Sequence, residues 1–532
     1  MNRKVLLVLA AAQFLMVLDQ AVMNVSISQL VADFDTTVTT IQAAITFYAL
    51  VMAALMITGG KLGDRWGRRR AFAIGLVVYA CGSLLTALSW NVGALILGWS
   101  VIEGVGAALV MPAMVALVAG NFSGKDRAAA YGVLGGVAGA GIAVGPILGG
   151  WVTTNLTWRV VFVGEVVVAL AILAGVRWLT EPERERSAGR LDLTGSALSA
   201  AGLGLVVFGV LQSGTWGWFQ PRNVPFEVFG LSPTPFVITG GLVVLGLFAH
   251  WERRVERGGR EPLVHLDLLQ VPPLRSGLTM MTAQNLILMG VFFSVPLYLQ
   301  VVQGFDALET GVIMLPVSVT LFLTSAAGPV LGRRWSPRTI VRTGLGVLLV
   351  ADVGLLALID PDIATAPFLT AMGVLGVGIG LLSSQLGNVV QSSVGEEARS
   401  EAGGLQFTAQ QFGGAMGTAL IGAVVVAGLA SSLGSLVAMD PAVSDPVKQQ
   451  VGVSLEAGVS FVPADQARSA IEAAGVPPAE TDALVAAYSQ AQLQGLRVGL
   501  LIAGLIVVGA CFLTGKLPDR PMIRAPEPAA AG

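Results

Sequence analysis

Cysteine and histidine are nearly missing from this chain, with two of each among 532 residues. That excludes a disulfide framework and a thiolate or histidine metal centre as the organising principle of the fold. Cys81 and Cys511 both fall inside apolar runs and read as buried free thiols, which leaves the redox compartment open. His250 and His265 stand apart from any ligand-like cluster and read as structural or solvent-facing. Charge is scarce as well: 12% of the residues are ionisable, the net charge is -2, and no basic face is present to attract nucleic acid. No Gly-x-x-x-x-Gly-Lys-[Ser/Thr] phosphate loop, soluble domain, or nucleophile or metal constellation occurs, which argues against ATP-driven pumping and membrane enzymology. What is abundant is apolar sequence, 54% of the chain, with a mean hydropathy of +0.76. From Ala71 to Ile102 there is not one Asp, Glu, Lys or Arg, and similar runs recur to the C-terminal region. Water cannot solvate so much apolar sequence in a soluble fold, so the chain reads as an all-α polytopic membrane protein.

Breaks at charges, Pro and Gly divide the chain into fourteen spans, at about 5–30, 41–60, 71–88, 92–119, 128–154, 160–179, 193–213, 235–251, 276–300, 309–331, 339–359, 366–390, 402–428 and 494–515. The first run follows a short basic N-terminus, as a signal peptide would. It is too long for one and lacks a clear cleavage site, so it reads as a retained span. With the N-terminus inside, 26 of the 31 Lys and Arg fall on the cytoplasmic side. Among them are Arg3, Lys4, the five bases between Lys61 and Arg70, Lys125, Arg127, Arg184, Arg186, Arg190, Arg399 and Arg524. Arg159, Arg222, Lys448, Arg468 and Arg497 remain outside, which fixes the orientation by the positive-inside rule and returns the C-terminus to the cytoplasm of a cell whose inner membrane the chain crosses. Leu62-Gly-Asp-Arg-Trp66 after span 2 reappears as Leu331-Gly-Arg-Arg-Trp335 after span 10, the mark of a duplicated architecture. The expected division is a six-helix bundle at 1–180, linkers and inserted spans 7 and 8 at 181–275, and a second six-helix bundle at 276–532. The second carries a long outside loop at about 430–493, whose acids, Glu456 among them, read as a solvated surface.

The turn Gly59-Gly-Lys-Leu-Gly-Asp-Arg-Trp-Gly-Arg-Arg-Arg70 joins helix-breaking glycines, one carboxylate and five bases. Holding topology is enough to account for Arg69 and Arg70. Gly60, Gly63, Asp64, Arg65, Gly67 and Arg68 resemble the signature turn of the major facilitator superfamily, which implies a latch controlling the switch between access states; Arg333 replaces the acid in the second copy. Span 5 places Gly141, Gly145 and Gly149 on one helical face beside Pro146 and Gly150. A small-residue groove serves close helix packing, and the string also resembles the antiporter motif of drug–proton exporters. In span 1, Leu18-Asp-Gln-Ala-Val-Met-Asn-Val25 resembles the first-span motif of the fourteen-span drug–proton antiporter family, with Asp19 and Asn24 matching. Span 4 matches that family in its Gly-x-Gly-Ala-Ala end but carries Ser100 and Glu103 where the family has Arg and Gln. Span 6 carries Glu165 where the family has Asn.

Ionisable groups inside a membrane need a site or a partner. At ~1.5 Å per residue, Asp19 and Glu103 lie at a similar depth, ~15 Å from the outer surface, and spans 1 and 4 line the central cavity in the superfamily. Asp19 and Glu103 are therefore expected to form a cavity carboxylate pair able to trade a proton for a cation. The alternative is a protonated Glu103 bonded to a neighbouring helix. Glu165, nearer the surface, is expected either to join in transport or to pair with Arg159. Asp352 in span 11 is a further intramembrane acid, and Gln406 and Gln410 of span 13 face either the transport route or a helix contact. The resemblance implies two bundles rocking about a central cavity, with proton entry driving export of amphipathic, cationic drugs or natural products. It implies no cofactor beyond the proton gradient, no metal and no catalytic residue, and a monomer working in the lipid bilayer. A proton-coupled importer or symporter, and a lipid-handling membrane protein with structural acids, are the alternatives.

Overall fold

In the computed structural model, residues 2–122, 124–181, 192–221, 224–395, 398–457 and 461–520 are described. Arg184, Arg186, Arg190, Arg222 and Arg524, which entered the orientation argument, lie outside them, as do the side chains of Lys125, Arg127, Arg399 and Glu456. Among the described residues fourteen helices are long and apolar enough to cross a membrane. They are Arg3–Val25, Val38–Trp66, Arg68–Ala87, Val92–Val118, Gly136–Asn155, Trp158–Trp178, Leu193–Trp216, Thr234–Arg257, Pro272–Val302, Ala307–Ala326, Pro337–Leu358, Thr365–Ser392, Glu401–Met439 and Pro478–Lys516, numbered here as spans 1 to 14.

Local sequence sets where these helices start. Thr37, Asn91, Thr157 and Ser336 each accept a backbone N–H of the first turn of spans 2, 4, 6 and 11. Asp306 and Glu309 form a reciprocal capping box at span 10. Between spans 2 and 3 the backbone turns at Gly67 with φ +95°, a conformation that a Cβ disfavours.

Span 2 packs along span 13, and span 5 along span 10, so that each bundle presents two helices to the other. Polar links cross both seams: Gln42 Nε2 donates to the Thr418 carbonyl at 2.8 Å, and Ser318 Oγ to the Ile142 carbonyl at 2.9 Å. Spans 7 and 8 form a hairpin that touches the rest chiefly through span 7, against spans 2 and 13, and through Phe248 and Glu252 at one end of span 8. Little of span 8 is buried.

Spans 13 and 14 are longer than their apolar runs. The helix of span 13 continues to Met439 and that of span 14 begins at Pro478, leaving 440–477 as the connection, with helices Asp445–Ala457 and Ala464–Ala473 inside it. Tyr488 and Gln492 fasten this segment by bonds to Val462. Cys81 is exposed on the helix surface instead of buried, because an apolar span has an apolar surface for lipid to cover as well as a core.

Candidate functional site

Span 1 presents three different faces. One bears Asp19, which meets the acids of spans 4 and 6. An oxygen of Asp19, one of Glu103 and one of Glu165 all lie within 4.8 Å of one another, and the three residues are 1%, 0% and 2% exposed. Span 4 reaches this cluster through a π-helical segment, Ile96–Glu103, where the wider winding re-aims side chains. Its Trp99 donates Nε1–H to Asp19 Oδ1 at 2.8 Å and stacks flat on Tyr48 of span 2, ring centroids 4.6 Å apart. Glu165 Oε2 accepts from Tyr79 Oη at 3.1 Å and Ser83 Oγ at 2.9 Å, both on span 3.

Among the described residues, Asp19 Oδ2, both Glu103 oxygens, Glu165 Oε1 and the Tyr48 hydroxyl have no hydrogen-bond partner. Among the described residues no salt bridge reaches any of the three acids. Glu165 does not pair with Arg159. That arginine lies nearly two turns towards the helix start and takes Asp33 at 3.2 Å, while Glu165 turns inward to span 3. Three oxygens so spaced can share protons, or can offer ligands to a small cation.

A second face of span 1 carries Gln20 and Asn24 into a cavity of about 2210 Å³ between the bundles. The acids were expected in this wall, but Asp19 and Glu103 are not among the cavity-lining residues: Asp19 lies on the face of span 1 turned towards spans 4 and 6, and Glu103 of span 4 meets it there. Gln406 and Gln410 do line it, with Asn24, and the cavity reaches the end of the molecule that bears the Lys61–Arg70 turn. Asp352 stands apart from the cluster, on span 11 against Gly504 of span 14.

The third face lies in the groove of span 5. A Cβ on Gly141 would meet Val17, on Gly145 Ala21, and on Gly149 Val22; beyond Pro146, Gly150 meets the backbone of Ala307 in span 10. The end of the molecule opposite the basic turn is closed by links across the bundles. Gln300 of span 9 accepts from Ser28 N at 3.3 Å and donates to the Val25 carbonyl at 2.9 Å, and Leu308 N donates to Thr154 Oγ1 at 3.3 Å.

At the basic end, Asp64 pairs with Arg68 at 3.0 Å, and Arg68 also reaches the Ala116 carbonyl of span 4. The sequence reading passed over Glu181, whose carboxylate accepts the first backbone N–H groups of span 3, from Arg68 at 2.7 Å and Arg69 at 2.9 Å. Gly67 leaves the room, since a Cβ there would crowd that carboxylate. Gly60 and Gly63 sit in ordinary contact distance of Pro112 and Ala71, and Arg65 lies in the last turn of the span 2 helix. The segment after span 8 joins both sides, through Lys61 to Glu261 at 2.8 Å and through His265 to Glu401 of span 13.

The sequence model of the Major Facilitator Superfamily matches residues 9–418. The tetracenomycin C resistance and export protein of Streptomyces glaucescens is 28% identical, the match covering 98% of this chain and 93% of that protein. The puromycin resistance protein pur8 of Streptomyces alboniger is 32% identical over 80% of this chain and 82% of its own length. Among solved structures, a bacterial homolog of the human lysosomal transporter Spinster, inward-facing and unoccupied, aligns over 98% of both chains with a TM-score of 0.61 and 14% identity, a likeness of fold.

Proposed function

The chain belongs to the Major Facilitator Superfamily, and we propose that it expels amphipathic drugs or natural products in exchange for protons, with both termini in the cytoplasm and the inner membrane as its site. It is a transporter and not an enzyme. The direction of transport is supported by relatives named for resistance and export. Orientation is supported by the excess of Lys and Arg at the end where the cavity opens, so that cargo enters from the cytoplasm. The bundles 1–180 and 276–532 are the rocking bodies on this reading, meeting at the seams of spans 2 with 13 and 5 with 10.

The carboxyl cluster of Asp19, Glu103 and Glu165 carries the coupling. Like charges ~4.8 Å apart repel by about 3 kcal/mol per pair at an effective dielectric near 20, before any cost of burial. With no basic partner among the described residues, three simultaneous charges are unfavourable, and the cluster holds protons while it is closed off. Asp19 adjoins Gln20 on the same helix, so a change of charge on one face of span 1 is felt at the cavity on the next. The glycine groove of span 5 gives that helix a smooth bed to move on. The expected preference for cations depended on acids in the cavity wall and is not carried into this proposal.

The test is proton release from acidified everted vesicles on adding a panel of neutral and cationic amphiphiles. Wild type should release protons with cargo, and Asp19→Asn and Glu103→Gln, at matched expression, should not. Release that survives both substitutions, or transport driven by a sodium gradient alone, would overturn proton coupling at this cluster.

A further inference from the structure

The cavity and the acid cluster lie on adjacent faces of span 1 but have opposite chemistry. Where Met52 stands, the wall is made of amides from both bundles, among them Gln20, Asn24, Asn285, Gln406, Gln410 and Gln411. The charged side chains that line the cavity belong to the basic end: Lys61 lies roughly 14 Å along span 2 from Met52, and Glu401 about as far along span 13 from Gln410, at ~1.5 Å per residue. Among the described residues no carboxylate lines the wall between those levels.

Four of these amides, Gln20, Asn24, Asn285 and Gln411, are only lightly engaged, whereas Gln406 Oε1 accepts from Gln391 Nε2 at 3.3 Å. Gln20 Nε2 and Gln411 Nε2, from opposite bundles, both donate to Met52 Sδ, at 3.7 and 2.9 Å, and a thioether is a weak acceptor. Asn24 and Asn285 donate back to carbonyls of their own helices, Gln20 O at 2.8 Å and Met281 O at 3.0 Å, which the helix ladder already uses. Each can turn to a ligand at little loss, and each offers a donor and an acceptor together.

We infer that the cargo is an uncharged amphiphile bearing several hydroxyl and carbonyl groups, and not a permanent organic cation. This names the cargo class of the export reading and rests on it. A molecule with both donors and acceptors matches the amides while its apolar body lies on Met52 and Phe292. A permanent cation gives up hydration on the side that touches this wall and meets no opposite charge there.

The experiment measures equilibrium binding of two flat tricyclic probes, neutral 1,8-dihydroxyanthraquinone and cationic ethidium, to the full chain in nanodiscs without a gradient. The anthraquinone should bind about tenfold tighter or better. Gln410→Leu and Gln411→Leu should each weaken it about three- to tenfold, the loss of one hydrogen bond, and leave ethidium unchanged. Gln410→Glu should reverse the preference, which also shows that a substituted protein is folded. Ethidium binding as tightly as the anthraquinone to wild type, no anthraquinone binding, or indifference to both leucine variants overturns the inference. Proton-driven uptake of the same probes into liposomes separates the two readings. Ethidium bound and exchanged for protons keeps the exporter and rejects the cargo class, whereas anthraquinone bound but unmoved by a proton gradient keeps the class and rejects the coupling.

Discussion

Gln300 joins the two bundles at the closed end with a single side chain. Its amide sits in the π-helical end of span 9, accepts from Ser28 N and donates to the Val25 carbonyl, and is buried. Both bonds can exist only while that end is shut; once it opens, the same groups meet water. Gln300→Leu keeps the volume and removes both bonds, a net loss of about 1 to 3 kcal/mol, which moves the ratio of closed to open by about 5- to 150-fold. Hydrogen exchange in nanodiscs reads this directly. Peptides covering 24–34 and 297–308 should exchange faster in the variant, while the turn at 60–70 should not. Gln303→Leu is the control, because Gln303 bonds Tyr298 and Asp360 within its own bundle and should leave 24–34 unchanged. A Gln300→Leu protein that melts like wild type and exchanges like it at 24–34 and 297–308 refutes the assignment of Gln300 as a closure bond.

Two further outcomes follow from the same geometry. Gly145→Val drives a side chain into Ala21 of span 1, an overpacking of about 1 to 3 kcal/mol; cargo export should fall while Gly164→Val, at a position with nothing within contact distance, exports as wild type. Burial works against the charge of Asp33, but bonds from Gln29 and Trp158 and the charge of Arg159 together hold its carboxyl below the usual range. A carboxyl lowered on folding adds stability above its unfolded titration and loses it as pH falls through the lowered value. Asp33→Asn should therefore be less stable than wild type in thermal melts at neutral pH, by about 1 kcal/mol or less because the carboxyl is screened by solvent, with the gap closing in acid.

Hydropathy makes the number and order of the spans legible, because lipid demands an apolar run wherever a helix crosses. It fails at the outer ends of spans 13 and 14. There Gly, Ser and Gln interrupt the apolar run while the backbone ladder continues, held by contacts such as Gln492 with Val462. The basic turn and the glycine groove were readable because each is contiguous in sequence. Asp19, Glu103 and Glu165 were readable singly as acids within spans, but their meeting was not, since three helices far apart in sequence bring them together. Depth counting gave Asp19 and Glu103 the same level and said nothing about which side of span 1 they occupy; the π segment, which no residue type announces, helps decide that. Glu181 went unread because a lone Glu in a charged segment has no signature until Gly67 is seen turning two backbone N–H groups towards it.

The cavity is about 2210 Å³, whereas pockets for drug-sized ligands run about 300 to 1,000 Å³. Its occupant therefore travels in company, with solvent filling the remaining room and completing the hydrogen bonds that distant amides cannot reach. Skeletons of unlike shape fit a chamber of this size because water, not protein, supplies the missing shape. Closing the chamber must then squeeze that solvent out, so each turnover carries a volume change along with its cargo. Osmolytes excluded from the cavity and hydrostatic pressure become levers on the switch, even though neither touches the cargo or the proton.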